Sequence, residues 1–204
     1  MHPNPVFHTA DSTRNLAFAR ERAFGVLSVN GADAPLVSHV PFLLADNGKS
    51  LDLHLVRSNP IARALKSPLE AVMAISGPDS YISPDWYGID DQVPTWNYIA
   101  VHLRGSLSAL SSEEMRDMLD RQSALFEERL LPKTPWKTDK MPADLLDKLM
   151  RSIVPCRLQI ESVDGTWKLS QNKTDLAREH AADHVDSYGF GADHRLLAAL
   201  MRSA

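Results

Sequence analysis

The sequence predicts an α+β fold built mainly on antiparallel strands, and three observations carry that expectation. Asn30-Gly31 stands between two apolar runs, a strong short-range signal for a hairpin. Leu51, Leu53 and Leu55 alternate with Asp52 and His54 at the period of a half-buried strand. Trp96 to Leu110 alternates over the length of a long strand.

The elements follow in order. Asp11 or Ser12 is placed to cap a first helix whose Leu16, Ala19, Ala23 and Phe24 share one face. Phe24 to Val29 and Leu36 to Leu44 form the hairpin, Asp46-Asn47-Gly48 turns the chain, and the Leu51 to Leu55 strand completes an antiparallel meander. Asn59 suits an N-cap and Pro60 the first position of a short helix through Ile61, Ala64 and Leu65. A strand is expected at Ala71 to Ser76. Gly77 to Asn97, rich in Gly, Pro, Asp, Tyr and Trp, reads as a long ordered loop, because aromatic side chains favour burial. Ser111 and Glu114 make a capping box for a helix with Met115, Met118, Leu119, Leu125 and Phe126 on one stripe. A helix over Ala143 to Arg151 precedes a strand from Ile153 to Val163 that ends in a Val163-Asp164-Gly165 turn. Two helices, about Thr174 to Val185 and Asp193 to Arg202, finish the chain.

Composition bounds what such a fold can do. With 204 residues and 44% hydrophobic content the chain is expected to form one domain over 1–204, with C-terminal helices from about residue 174. A net charge of −4 provides no general attraction to phosphate backbones, so DNA binding would need a local patch. The single cysteine, Cys156, excludes an internal disulfide framework and a multi-thiolate metal cluster, and fits a reducing compartment. The N-terminal residues lack the basic and apolar regions of a secretory signal, and no stretch approaches the roughly 20 apolar residues of a membrane span. The expected location is the cytoplasm.

Few constellations could carry chemistry. The junction from Arg57 through Ser58, Asn59 and Pro60 to Lys66 joins a strand exit, a helix start and three cations, Arg57, Arg63 and Lys66, which suits a phosphate monoester as well as an ordinary capped surface helix. Gly77 to Tyr87 and Val93 to Tyr98 hold two of the four Trp and three of the four Tyr, enough for the walls of a planar aromatic ligand or for a subunit interface. Trp167 to Lys173 sets basic and polar groups directly after a strand, as a second rim would need. His39, His54 and His102 lie in strands, where structural roles are commoner than catalytic ones. His180 and His184 have an i, i+4 spacing, but Ala181 stands where a zincin needs Glu. These residues assign neither a metal site nor a catalytic acid, base or nucleophile.

The chain resembles the PaiB-type FMN-binding negative transcriptional regulators, related by fold to the pyridoxamine-phosphate oxidase split barrels. The resemblance covers nearly the whole chain. It rests on Ser38-His39-Val40-Pro41-Phe42, on His54 with Arg57 and Asn59-Pro60, and on Gly77-Pro78 with Tyr81-Ile82-Ser83-Pro84 and Trp86-Tyr87. It continues through Val93 to Tyr98, Val101-His102, Gly105 and Lys168-Leu169-Ser170-Gln171-Asn172, and departs from the family pattern at Ile61 and Pro155-Cys156. What it implies is an FMN-binding split β-barrel of six strands with flanking helices, working as a homodimer with the flavin groove between subunits. Arg57, Ser58 and Asn59 would then hold the phosphate. The ring would lie against Ser38, His39, Val40 and Pro41, near Trp86, Tyr87, Thr95, Trp96 and Asn97 of the partner subunit, with Gln171 at the rim. The implied role is transcriptional regulation or redox sensing. Three other roles stay open: an FMN-dependent oxidoreductase acting on NAD(P)H or a small amine or alcohol, a haem-binding split barrel, and a structural dimer whose flavin groove has decayed.

Overall fold

The structure, a computed structural model, describes residues 1–204. Its helices are α1 (Ser12–Arg22), α2 (Pro60–Ala64), α3 (Glu114–Glu128), α4 (Ala143–Met150), α5 (Asp175–Tyr188) and α6 (His194–Arg202). Its strands are β1 (Phe24–Val29), β2 (Leu36–Pro41), β3 (Leu43–Leu44), β4 (Ser50–Val56), β5 (Leu69–Ile82), β6 (Thr95–Ala109) and β7 (Ile153–Lys168). They lie in the order β2-β1-β5-β6-β7-β4-β3. Seven strands stand where the resemblance implied six. The chain divides into two compact units, one of residues 1–18, 75–102 and 163–204, the other of residues 19–74 and 103–162.

In the second unit the start signals work locally. The Asn59 side chain accepts a hydrogen bond from the Ile61 amide at 2.9 Å with Pro60 in the first turn. Ser111 N and Oγ both donate to Glu114 Oε2, at 3.2 and 3.1 Å. However, α3 begins at Glu114 with Glu113 at its N-cap and no side-chain cap bond, so the expected capping box does not form and the pair instead closes the turn before the helix. The hairpin forms between the two expected runs with Val29 opposite Leu36, although residues 30–35 make a longer connection than a two-residue turn.

The meander does not continue. β4 pairs with β3 and with β7, and β1 pairs with β5, so β2 and β3 lie at opposite ends of the strand order. A cross-strand ion pair favours the β4–β7 register. Asp52 stands directly opposite Arg157, which donates to both of its carboxylate oxygens at 2.7 and 3.0 Å, and Arg121 of α3 adds a third bond at 3.2 Å. Asp52 is therefore buried, against the simple alternation of the strand pattern.

The first unit packs β-strand residues against α5 and α6. Ile82, Ile99, Trp167 and Leu169 meet a face of small side chains, Ala177, Ala181 and Ala182, and the apolar stripe Leu197, Ala198 and Met201. Arg178 is buried here, and its Nε donates to the Met201 carbonyl at 2.7 Å, adding a side-chain bond to a carbonyl that also accepts from the Ser203 amide at the end of α6. Asp11 caps α1, its Oδ1 accepting from the Arg14 amide at 2.7 Å.

Two expectations fail here. Residues 77–82 continue β5 instead of opening a loop, and the irregular stretch shrinks to 83–94 with a 3₁₀ turn at Pro84–Tyr87. β7 also runs straight through Val163-Asp164-Gly165 to Lys168. Gly165 is there for close approach. A Cβ would strike the Asn15 side chain, whose Oδ1 accepts the Trp167 indole N–H at 2.8 Å.

No helix is long and apolar enough to cross a membrane.

Candidate functional site

The sequence candidates divide between the units. Ser38, His39, Val40, Pro41, Arg57, Ser58 and Asn59 belong to one, and Trp86, Tyr87, Thr95, Trp96, Asn97 and Gln171 to the other.

In the second unit β2 and the exit of β4 are joined by side chains. Asn59 uses its carbonyl oxygen as the helix cap and its Nδ2 to donate to Ser38 Oγ at 3.0 Å. This couples the strand to which the resemblance gives the flavin ring to the turn to which it gives the phosphate. Arg57 is exposed, and Nε and Nη2 donate to the Arg151 and Ile153 carbonyls at 3.0 and 3.2 Å. The guanidinium is thereby clamped to the start of β7 beside exposed Ser58. Along β2, His39 is exposed, Ser38 and Pro41 are half-buried, and Val40 is buried. The Ile61 side chain is fully buried, so this departure from the family pattern leaves the base of α2 packed.

The donor chemistry at this turn fits a phosphate monoester. A guanidinium, two hydroxyls and a carboxamide are gathered at one strand exit, and Arg57 retains unpaired N–H donors beyond its two clamping bonds. Half-buried Pro41 supplies apolar surface on β2, while Val40 is turned into the core.

In the first unit the aromatic candidates split by exposure. Trp96 is 40% exposed, with its indole N–H donated to Asp79 Oδ1 at 3.1 Å. It lies edge-on to Tyr81 and Phe190, which stack on each other at 5.9 Å. Trp86 is half-buried and stacks on His184, which also stacks on Tyr188. His180 and His184 are thus edge-to-face members of an aromatic row.

Tyr87 and Asn97 are buried and meet at one atom. The Tyr87 hydroxyl and the Asn97 Nδ2 both lie 2.8 Å from Ser170 Oγ. Burial pushes the Tyr87 phenol above its ordinary value, with the Ser170 bond opposing it. Gln171 is spent on backbone, accepting from Leu169 N at 2.8 Å and donating to the Trp167 and Val6 carbonyls. Thr95 Oγ1 takes a bond from Lys168 Nζ.

A cleft of about 250 Å³ opens in the same unit beside Tyr87, Thr95 and Asn97. Lys168, Ser170, Asn172 and Lys173 line it from the segment read as a possible second rim, while Asn4, Phe7, Asp91 and Gln92 were not foreseen. No short motif marks those four, since each joins through tertiary contact alone.

Cys156 is fully buried, and desolvation pushes its thiol up to about 12. The native protein should therefore leave a disulfide reagent such as DTNB unreacted at pH 8, with one thiol per chain released in guanidinium. Rapid labelling of the native protein would contradict this.

A seven-stranded antiparallel sheet with six helices, together with a match to an FMN-binding family, defines the class of an FMN-binding split β-barrel. Residues 1–162 match the family described as "Putative FMN-binding domain", and the chain belongs to that family, whose cofactor is FMN. It is 30% identical over 160 residues to Protease synthase and sporulation protein PAI 2 of Bacillus subtilis, across 78% of this chain and 76% of that one. Among solved structures it shares its fold with the FAD and heme binding protein from Mycobacterium smegmatis, at TM-score 0.59 and 14% identity over 90% of this chain and 81% of that one. The flavocytochrome Anf3 from Azotobacter vinelandii is similar at TM-score 0.56 and 13% identity, over 94% and 81%. The resemblance read from the sequence and the fold class it implied both hold.

Proposed function

We propose that this chain is a flavin-dependent regulatory or redox-sensing protein that works as a homodimer. The FMN phosphate sits at Arg57, Ser58 and Asn59, and the ring lies along Ser38 to Pro41, facing Trp86 and Trp96 of the partner subunit. The observation that carries this is the Asn59–Ser38 hydrogen bond, which links the phosphate turn to the ring strand in a member of an FMN-binding family. The aromatic cluster of half-buried Tyr81 with exposed Trp96 and Phe190 supports a subunit interface, where such side chains are enriched.

The buried polar groups of Tyr87 and Asn97 and the backbone bonds of half-buried Gln171 support a different part for these three. They hold the loop and strand ends that present Trp86 and Trp96. Regulation of transcription then runs through the flavin's redox state or a partner, since the chain carries a net charge of −4.

The test is the visible spectrum of the purified protein through gel filtration. Flavin bands near roughly 370 and 450 nm should persist, on a species of twice the chain mass. Arg57→Ala should weaken FMN binding about 10- to 100-fold, the worth of a charge-assisted bond. A monomer that ignores added FMN would refute the reading, and steady turnover of NADPH would move it to the oxidoreductase.

A further inference from the structure

We infer that the cleft formed by Tyr87, Thr95, Asn97, Lys168, Ser170 and Lys173 binds a small oxyanion, a carboxylate or phosphate monoester, that also carries a hydrogen-bond donor. All six residues lie in one compact unit, and the inference does not require flavin to be bound.

The charge argument comes first. Lys168 bonds to Thr95 Oγ1 and Lys173 to Gln92 Oε1, and neither ammonium has a carboxylate within ion-pair distance. The cleft lining thus holds two half-buried cations bonded to neutral partners against one carboxylate, the exposed Asp91, and its balance stays positive. Burial also pulls Lys168 below its ordinary value, and an anion would offset that cost by stabilising the charged form.

The hydrogen-bond inventory supplies the second element. Asn97 is fully buried, and its Nδ2 is directed at Ser170 Oγ and Met201 Sδ. Because a thioether can only accept, this orients the amide and leaves Oδ1 as the free end. Asn97 Oδ1 has no partner. A buried acceptor without a donor is costly, and native proteins seldom keep one without a use.

Tyr87 and Ser170 share one bond between two hydroxyl groups, and Asn97 donates to the serine. Of the two hydroxyl protons only one is consumed. The other remains to be given to a ligand.

Backbone strain points to the same place. Ser170 has φ +63°, a left-handed conformation unusual for serine, and this sets its hydroxyl between Tyr87 and Asn97. The cleft volume of about 250 Å³ lies below the roughly 300–1,000 Å³ of pockets that take drug-sized ligands, so the occupant is a small acid.

The experiment is calorimetric titration of FMN-loaded and flavin-stripped full-length protein with lactate, acetate and inorganic phosphate. Lactate offers a carboxylate and an adjacent hydroxyl for Asn97 Oδ1, whereas acetate lacks the donor. Lactate should bind several-fold more tightly than acetate, and Lys168→Met or Lys173→Met should cost it about tenfold. Binding of phosphate alone, with the same dependence on both lysines, would identify the phosphate monoester as the source. Both variants keep an apolar stem at a half-buried position, so thermal melts should stay near those of the parent. Millimolar titrations without heat for any of the three probes, or binding unchanged in the double variant, would overturn the inference. The flavin spectrum is read separately, so failure of the cofactor assignment is distinguishable.

Discussion

Asp52→Ala should lower the unfolding free energy by about 3 kcal/mol and the melting temperature by about 6–12 °C. Asp52 is 5% exposed and receives three guanidinium bonds, two from Arg157 and one from Arg121. Removing the carboxylate leaves Arg157 facing an apolar gap across the β4–β7 ladder. The cost stays at the lower end of that for a broken buried pair, because the Arg157 and Arg121 side chains are 35% and 46% exposed and can recover water. Arg121→Ala, with its charge near the surface, should cost under about 1 kcal/mol. Urea unfolding monitored by circular dichroism checks both, and equal effects of the two substitutions would contradict a role centred on Asp52.

Gly105→Ala should cost about 3 kcal/mol, the upper part of the range for overpacking. Gly105 is buried in β6, and a Cβ there would overlap the Gln159 carbonyl and crowd the Glu161 amide of the adjacent β7. Both obstacles are backbone, so no rotamer change relieves them and the strands must separate. Ser108→Ala, half-buried on the same strand, should change stability by no more than about 0.5 kcal/mol. If Gly105→Ala unfolds at the parental urea midpoint, the strand spacing is softer than this packing implies.

Gly105 also illustrates how the sequence could be read. It was visible as part of a family motif following Val101-His102, yet the motif contained no hint that a neighbouring carbonyl was the reason. Asp52 was visible as the polar partner in an alternating strand, and its burial was not. Arg157, which holds it, lies 105 positions away in the chain.

The sequence by itself determined the antiparallel α+β class, the bounds of most elements and the turn at Arg57 to Pro60. Those signals are local. A cap is satisfied within four residues, as at Asn59 and Ile61 or Thr174 and Ala177, and alternation is a property of one strand. Tertiary structure alone decided that β4 pairs with β7, and that β5 continues through Gly77-Pro78 and β7 through Gly165. It alone brought Tyr87, Asn97 and Ser170 together across more than 70 residues of chain. Pairing partners, a left-handed serine and an amide oxygen left without a donor arise from which distant groups meet. Local propensity carries no record of them, because their free energy exists only once the strands are assembled.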